Sequence, residues 1–169
     1  MAGEKFIKHD GAGGLTETVA TQTGGGGSEN KIPALDASGQ LDVTMMPTGI
    51  GADTVVVPAS EGLAAGDMVN LWNDGGTIKA RKADATTTGK PANGFTKDSV
   101  TSAASATVYR EGNNTGATGM TVGPQYLSTT AGTVTSTAPS GSGNVVQEVG
   151  FATTATNMNF EASKPIELA

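Results

Sequence analysis

His9 is the single histidine of the chain and there is no cysteine, so any nucleophile-and-base chemistry would have to be built around one imidazole. It lies beside Gly11-Ala12-Gly13-Gly14, a setting without a rigid scaffold to hold it against a serine. An exposed residue is expected there, not a catalytic one. The same glycines invite comparison with a phosphate loop, but that loop needs Gly-Lys-Ser/Thr between a strand and a helix, and Gly89-Lys90 runs into Pro91. Asp36-Ala37-Ser38-Gly39-Gln40-Leu41-Asp42 sets two carboxylates around a glycine. It lacks the alternating oxygen ligands and terminal Glu of a calcium loop, and reads as a turn. Asn113-Asn114-Thr115 fits a glycosylation acceptor, yet the start MAGEKFIKHDGAGG has no apolar run of the signal-peptide kind, so a polar turn is expected. Nothing selects a pair of acids for glycoside hydrolysis. Trp72, the sole tryptophan, is expected as a core or subunit-interface anchor. No catalytic residue, cofactor site or metal site emerges, and the chain is expected not to be an enzyme.

The composition suits binding by shape. The 169 residues hold one core, or one core with a long appendage. Aromatic residues make up 4% and charged residues 15%, while Gly reaches 25 and Thr is about as common, a balance that favours strands and turns. Ten Lys and Arg against sixteen Asp and Glu give a net charge of −6, which repels a nucleic-acid backbone. No apolar run is long enough to span a bilayer. The expectation is a protein made in the cytoplasm, without nucleic-acid or membrane partners.

The elements divide at about residue 52. Residues 1–52 carry apolar side chains that match neither a helical nor a strand period: Phe6, Ile7, Leu15, Val19, Ile32, Leu35, Leu41, Met45, Met46 and Ile50. Gly11 to Gly14, Gly24 to Gly27, Pro33 and Pro47 interrupt them. One reading is a disordered tail. The other is a long extended arm ordered by partners, because linkers lack bulky apolar residues and these want a surface. On that reading the ten residues are contacts with partner subunits, and Gly24 to Gly27 form a hinge between two anchors. Ordering those four glycines costs roughly 4–8 kcal/mol, so flanking contacts must drive it.

From residue 53 to 169 the pattern changes to short segments of period two, bounded by Gly, Asn, Asp and Pro. Thr54 to Val57 reads as a strand ended by Pro58. Met68 to Trp72 and Thr77 to Ala83 read as a hairpin about Asp74-Gly75-Gly76, with Lys79 and Arg81 facing solvent. Tyr126 to Thr129 and Thr133 to Ser136 form a second hairpin candidate. Val145, Gln147, Val149 and Phe151 are expected on one strand face, and Met158 and Phe160 alternate with polar neighbours. A terminal strand at Ile166 to Leu168 is expected to close the sheet. Glu61 to Ala65 is at most one helical turn. The fold class is mostly β: a small antiparallel β-barrel or sandwich preceded by the arm.

Lys31-Ile32-Pro33-Ala34-Leu35-Asp36-Ala37-Ser38-Gly39-Gln40-Leu41-Asp42, running on to Met45-Met46-Pro47, resembles segments of tailed-phage fibre and head-decoration proteins. Ala64 to Val69, Lys82 to Thr86, Ala92 to Phe95, Thr107 to Tyr109 and Gly143 to Gly150 resemble the small β domain of phage capsid decoration, or cement, proteins. The resemblance implies a structural virion protein on the outer capsid surface that bridges neighbouring major capsid proteins by binding alone. It also implies a homo-oligomer, a trimer in preference to a dimer. The alternative it leaves open is a phage tail or head fibre component involved in host attachment, against which stand the absence of repeats and heptads.

Overall fold

The computed structural model describes residues 5–25, 28, 31–37, 39–46 and 51–169. The expected contact residue Ile50 lies outside them. The chain forms two compact units, Met1–Gly51 and Ala52–Ala169. No described residue is in an α-helix, and every strand pairing between named elements is antiparallel.

In the first unit, strands β1 (Lys5–His9) and β2 (Leu15–Val19) pair as a hairpin. The expectation of a long extended arm is amended here, since residues 5–19 fold back on themselves. Five residues, Asp10 to Gly14, close the loop: the Asp10 carboxylate accepts hydrogen bonds from the backbone N–H of Ala12 (2.8 Å) and Gly14 (2.9 Å). The turn chemistry was in the sequence, but Phe6-Ile7 puts two adjacent apolar residues on opposite faces and hides the period-two signal. Beyond the hairpin, Thr21 N–H donates to Ile32 O and Ala34 N–H donates to Thr21 O. Gly24 N–H donates to the hydroxyl of Thr44, the middle residue of a 3₁₀ turn at Val43–Met45.

The second unit contains twelve strands. They are β3 (Thr54–Pro58), β4 (Met68–Asp74), β5 (Thr77–Lys82), β6 (Gly94–Thr96), β7 (Ser105–Tyr109), β8 (Gly112–Asn114), β9 (Gly123–Leu127), β10 (Val134–Thr135), β11 (Val145–Val146), β12 (Glu148–Thr154), β13 (Asn157–Phe160) and β14 (Ile166–Glu167). One five-stranded sheet has the order β3-β7-β6-β4-β5 and another the order β10-β9-β12-β13-β8, while β11 and β14 pair by themselves. No sheet closes into a barrel. The expected closing strand at Ile166 does not join a large sheet: it is two residues long and pairs only with β11.

The β4–β5 hairpin forms where its turn residues predict, because Gly75 and Gly76 both take positive φ (60° and 96°), as a two-residue turn between twisted strands requires. The first sheet has apolar residues on both faces. Met68 and Phe95 on one face meet Leu127, Val149, Ala152, Met158 and Phe160 of the second sheet in a shared core. On the other face Val57, Val69, Ala80, Ala106 and Val108 pack with Ala59 and Leu63 from the segment after β3. That segment is the helix candidate; it forms turns instead, and Ala64 N–H is capped by the Asp67 carboxylate. Strand β13 alternates as expected, with Met158 and Phe160 buried and Asn159 exposed.

One expected face breaks. Val145, Gln147 and Val149 point inward, but Phe151 is half exposed. A bulge between Glu148 and Gly150, where β12 runs along β9, inserts an extra residue and reverses the sense of the side chains from Gly150 to Ala152. Gly150 sits there at φ 146°, and a Cβ on it would overlap the carbonyl of Asn159. Gln147 is polar yet buried because its side chain serves as a strand partner. It accepts from Ala92 N–H (2.8 Å) and donates to Ala92 O and Ser163 O (3.0 Å each).

Candidate interaction surface

The residues weighed for chemistry are dispersed. His9 ends β1, exposed and opposite Leu15. Gly11 to Gly14 are the hairpin loop. Gly89 and Lys90 accept through their carbonyls from the Arg81 guanidinium and Asp84 N–H, within a loop and not at a helix start. Asp36 and Asp42 stand in separate turns: Gln40 N–H donates to the Asp36 carboxylate and Thr44 N–H to that of Asp42. Among the described residues, no group of three His, Cys, Asp or Glu is placed to hold a metal ion, and no helix is long and apolar enough to cross a membrane. Asn113 is exposed on β8 while Asn114 is buried, its amide donating to Gly66 O.

Trp72 is half buried, its indole N–H donating to the Ser60 hydroxyl (2.9 Å) and the Arg81 guanidinium lying 4.6 Å from its ring centre. Arg81 and Lys79, expected to face solvent, are partly covered and paired. Arg81 also donates to Asn70, and Lys79 pairs with Asp74 at 2.7 Å.

The apolar residues singled out in the first unit stand out for a different reason. None of its described side chains is buried, although its backbone is tied at several points. In the hairpin register Lys5 opposes Val19, Ile7 opposes Glu17 and His9 opposes Leu15, so Ile7, Leu15 and Val19 share one face. Ile7 is 70% exposed and Leu15 67%. Lys5 and Glu17 form an ion pair on that same face. Phe6 is on the opposite face and partly covered. Ile32, Leu35, Leu41 and Met46 are exposed as well, while Met45 is partly covered. The carboxyls that close these turns are held ionised. Asp10 lies below the usual carboxylate range because of the Ala12 and Gly14 N–H groups, and Asp42 likewise because of the Thr44 hydroxyl and N–H.

What this arrangement can do is bind. An isolated two-stranded hairpin is marginally stable in water, and the described residues of this unit add no buried side chain to support it. Covering the remaining exposed surface of Ile7, Leu15 and Val19 supplies roughly 3–5 kcal/mol before the cost of ordering. No protein-family model, curated protein or solved structure matches the chain.

Proposed function

We propose that this is a non-enzymatic structural protein of a phage virion that binds the outer capsid surface and cements neighbouring major capsid proteins. The first unit is its attachment element, the arm that reaches across the shell. The second is a sandwich-like β body that stays folded whether or not the first is engaged. One observation carries the reading: the first unit has ordered turns and a hairpin but, among its described residues, no buried side chain, and it presents Ile7, Leu15, Val19, Ile32, Leu35, Leu41 and Met46 to the outside. The shell as partner follows from the resemblance of the segments between Lys31 and Gly150 to decoration proteins. The protein then acts as a homo-oligomer, a trimer, and takes no nucleic acid.

The test is binding to expanded capsids that lack the protein, read by co-sedimentation and by the thermal resistance of the shell. The full chain is expected to bind and raise that resistance. A chain beginning at Ala52, and the double variant Ile7→Asp/Leu15→Asp, are expected to keep the second unit's unfolding midpoint and to lose binding. Undiminished binding by both would sink the assignment of the first unit.

A further inference from the structure

The bulge exchanges side chains between the faces of β12: it seats Ala152 in the core and leaves Phe151 50% exposed. Bulges that re-aim a side chain are enriched beside binding sites. The surroundings of Phe151 say what it would meet. In the sheet register Phe151 opposes Pro124 on β9 and Asn159 on β13, and Asn159 opposes Asn113 on β8. These four exposed residues form a straight row across four strands, about 14 Å long at ~4.8 Å per strand. Glu148 and Glu161 lie with Phe151 and Asn159 around a shallow depression of about 340 Å³. Tyr126, opposite Glu148 on the same face, adds a second, partly covered ring.

We propose that this face of the second sheet binds a neutral oligosaccharide, with Phe151 as the stacking platform and the Asn113, Asn159, Glu148 and Glu161 side chains as its hydrogen-bonding frame. The C–H face of a pyranose carries slight positive charge and packs on the negative face of an aromatic ring. Its hydroxyls donate to carboxylates and both donate to and accept from amides. Among the described residues none of these four polar side chains has a hydrogen bond or ion pair of its own, so all are free to serve a ligand. Two carboxylates on the rim repel sulfated, phosphorylated or sialylated chains, in keeping with the net charge of −6. A protein partner fits less well. One half-exposed ring framed by amides and acids is far from the roughly 800 Å² per partner, with an apolar centre, of a stable protein interface. The row matches a short run of sugars better than a single one.

Saturation-transfer NMR on the full chain tests this, with maltohexaose, N-acetylchitohexaose and a heparin hexasaccharide as separate probes. Transfer to at least one neutral probe is expected, with none to heparin. Phe151→Ala should weaken that binding about tenfold with an unchanged unfolding midpoint, and Phe151→Trp should restore it. The proposal is overturned if neither neutral probe receives saturation, if Phe151→Ala binds as well as the parent, or if heparin is preferred. It is equally overturned if Phe151 resonances shift only with protein concentration, which would make the face a contact between copies.

Discussion

Replacing Gln147 by Met tests whether a buried side-chain amide does the work of a missing strand. The substitution keeps the volume and removes every hydrogen bond the amide makes. Ala92 is 2% exposed, so its N–H and C=O lose partners in a place that water does not reach. Ser163 is exposed, and water replaces the amide at its carbonyl. Two orphaned buried groups at about 2 kcal/mol each, offset by about 1–2 kcal/mol from the apolar side chain, leave a net loss of about 2–3 kcal/mol. That is a large share of the roughly 5–15 kcal/mol by which a domain of this size is stable. Urea unfolding followed by Trp72 fluorescence should show a lower midpoint at unchanged slope, and a melting temperature lower by roughly 10 °C. Gln147→Glu should fare no better at neutral pH, since its carboxylate would face two carbonyl oxygens. A loss below about 0.5 kcal/mol for Gln147→Met would refute the reasoning, because it would mean that the Ala92 groups find other partners at no cost.

Two further outcomes follow from the same geometry. Gly150→Ala places a methyl group against the Asn159 carbonyl at a φ of 146°, and should cost about 2–4 kcal/mol by urea unfolding or abolish soluble expression; a neutral result would mean that the bulge relaxes. In the first unit, the lowered pKa of Asp10 means that its turn is fully stabilised above the unfolded value of about 3.9 and loses that stabilisation as pH falls through the lower folded value. The amide resonances of Ala12 and Gly14 should therefore stay fixed from neutrality to about pH 4 and move only below it, while Asp10→Ala shifts them at every pH. Titration of those amides with a midpoint above about 4 would contradict the assignment.

Much of the second unit was legible because its signals are local. Asp74-Gly75-Gly76 between two alternating runs specifies a hairpin, and Met158-Asn159-Phe160 specifies which face is inside, whatever the rest of the chain does. The hairpin of the first unit was not legible from its apolar pattern, since Phe6 and Ile7 are adjacent and only one face collects Ile7, Leu15 and Val19. The candidate contact residues could be named from composition. Their shared face depends on the pairing of Lys5–His9 with Leu15–Val19, a register that no single strand carries.

The sequence by itself determined the β class, the absence of thiol chemistry, the acidic charge and the places where the chain turns, because each depends on residue types or on neighbours a few positions away. Tertiary structure alone decided the rest. Gln147 is a buried bridge because Ala92, 55 positions away, presents an N–H and a C=O to it. Phe151 faces outward because β12 must shift register against β9, which one strand's periodicity does not encode. The two faces of the β3–β7 sheet are both apolar because each meets a different cover, the second sheet on one side and the Ala59 to Leu63 segment on the other. That none of the described side chains of the first unit is buried is likewise a property of the assembled fold: a list of apolar residues cannot say which of them find a core.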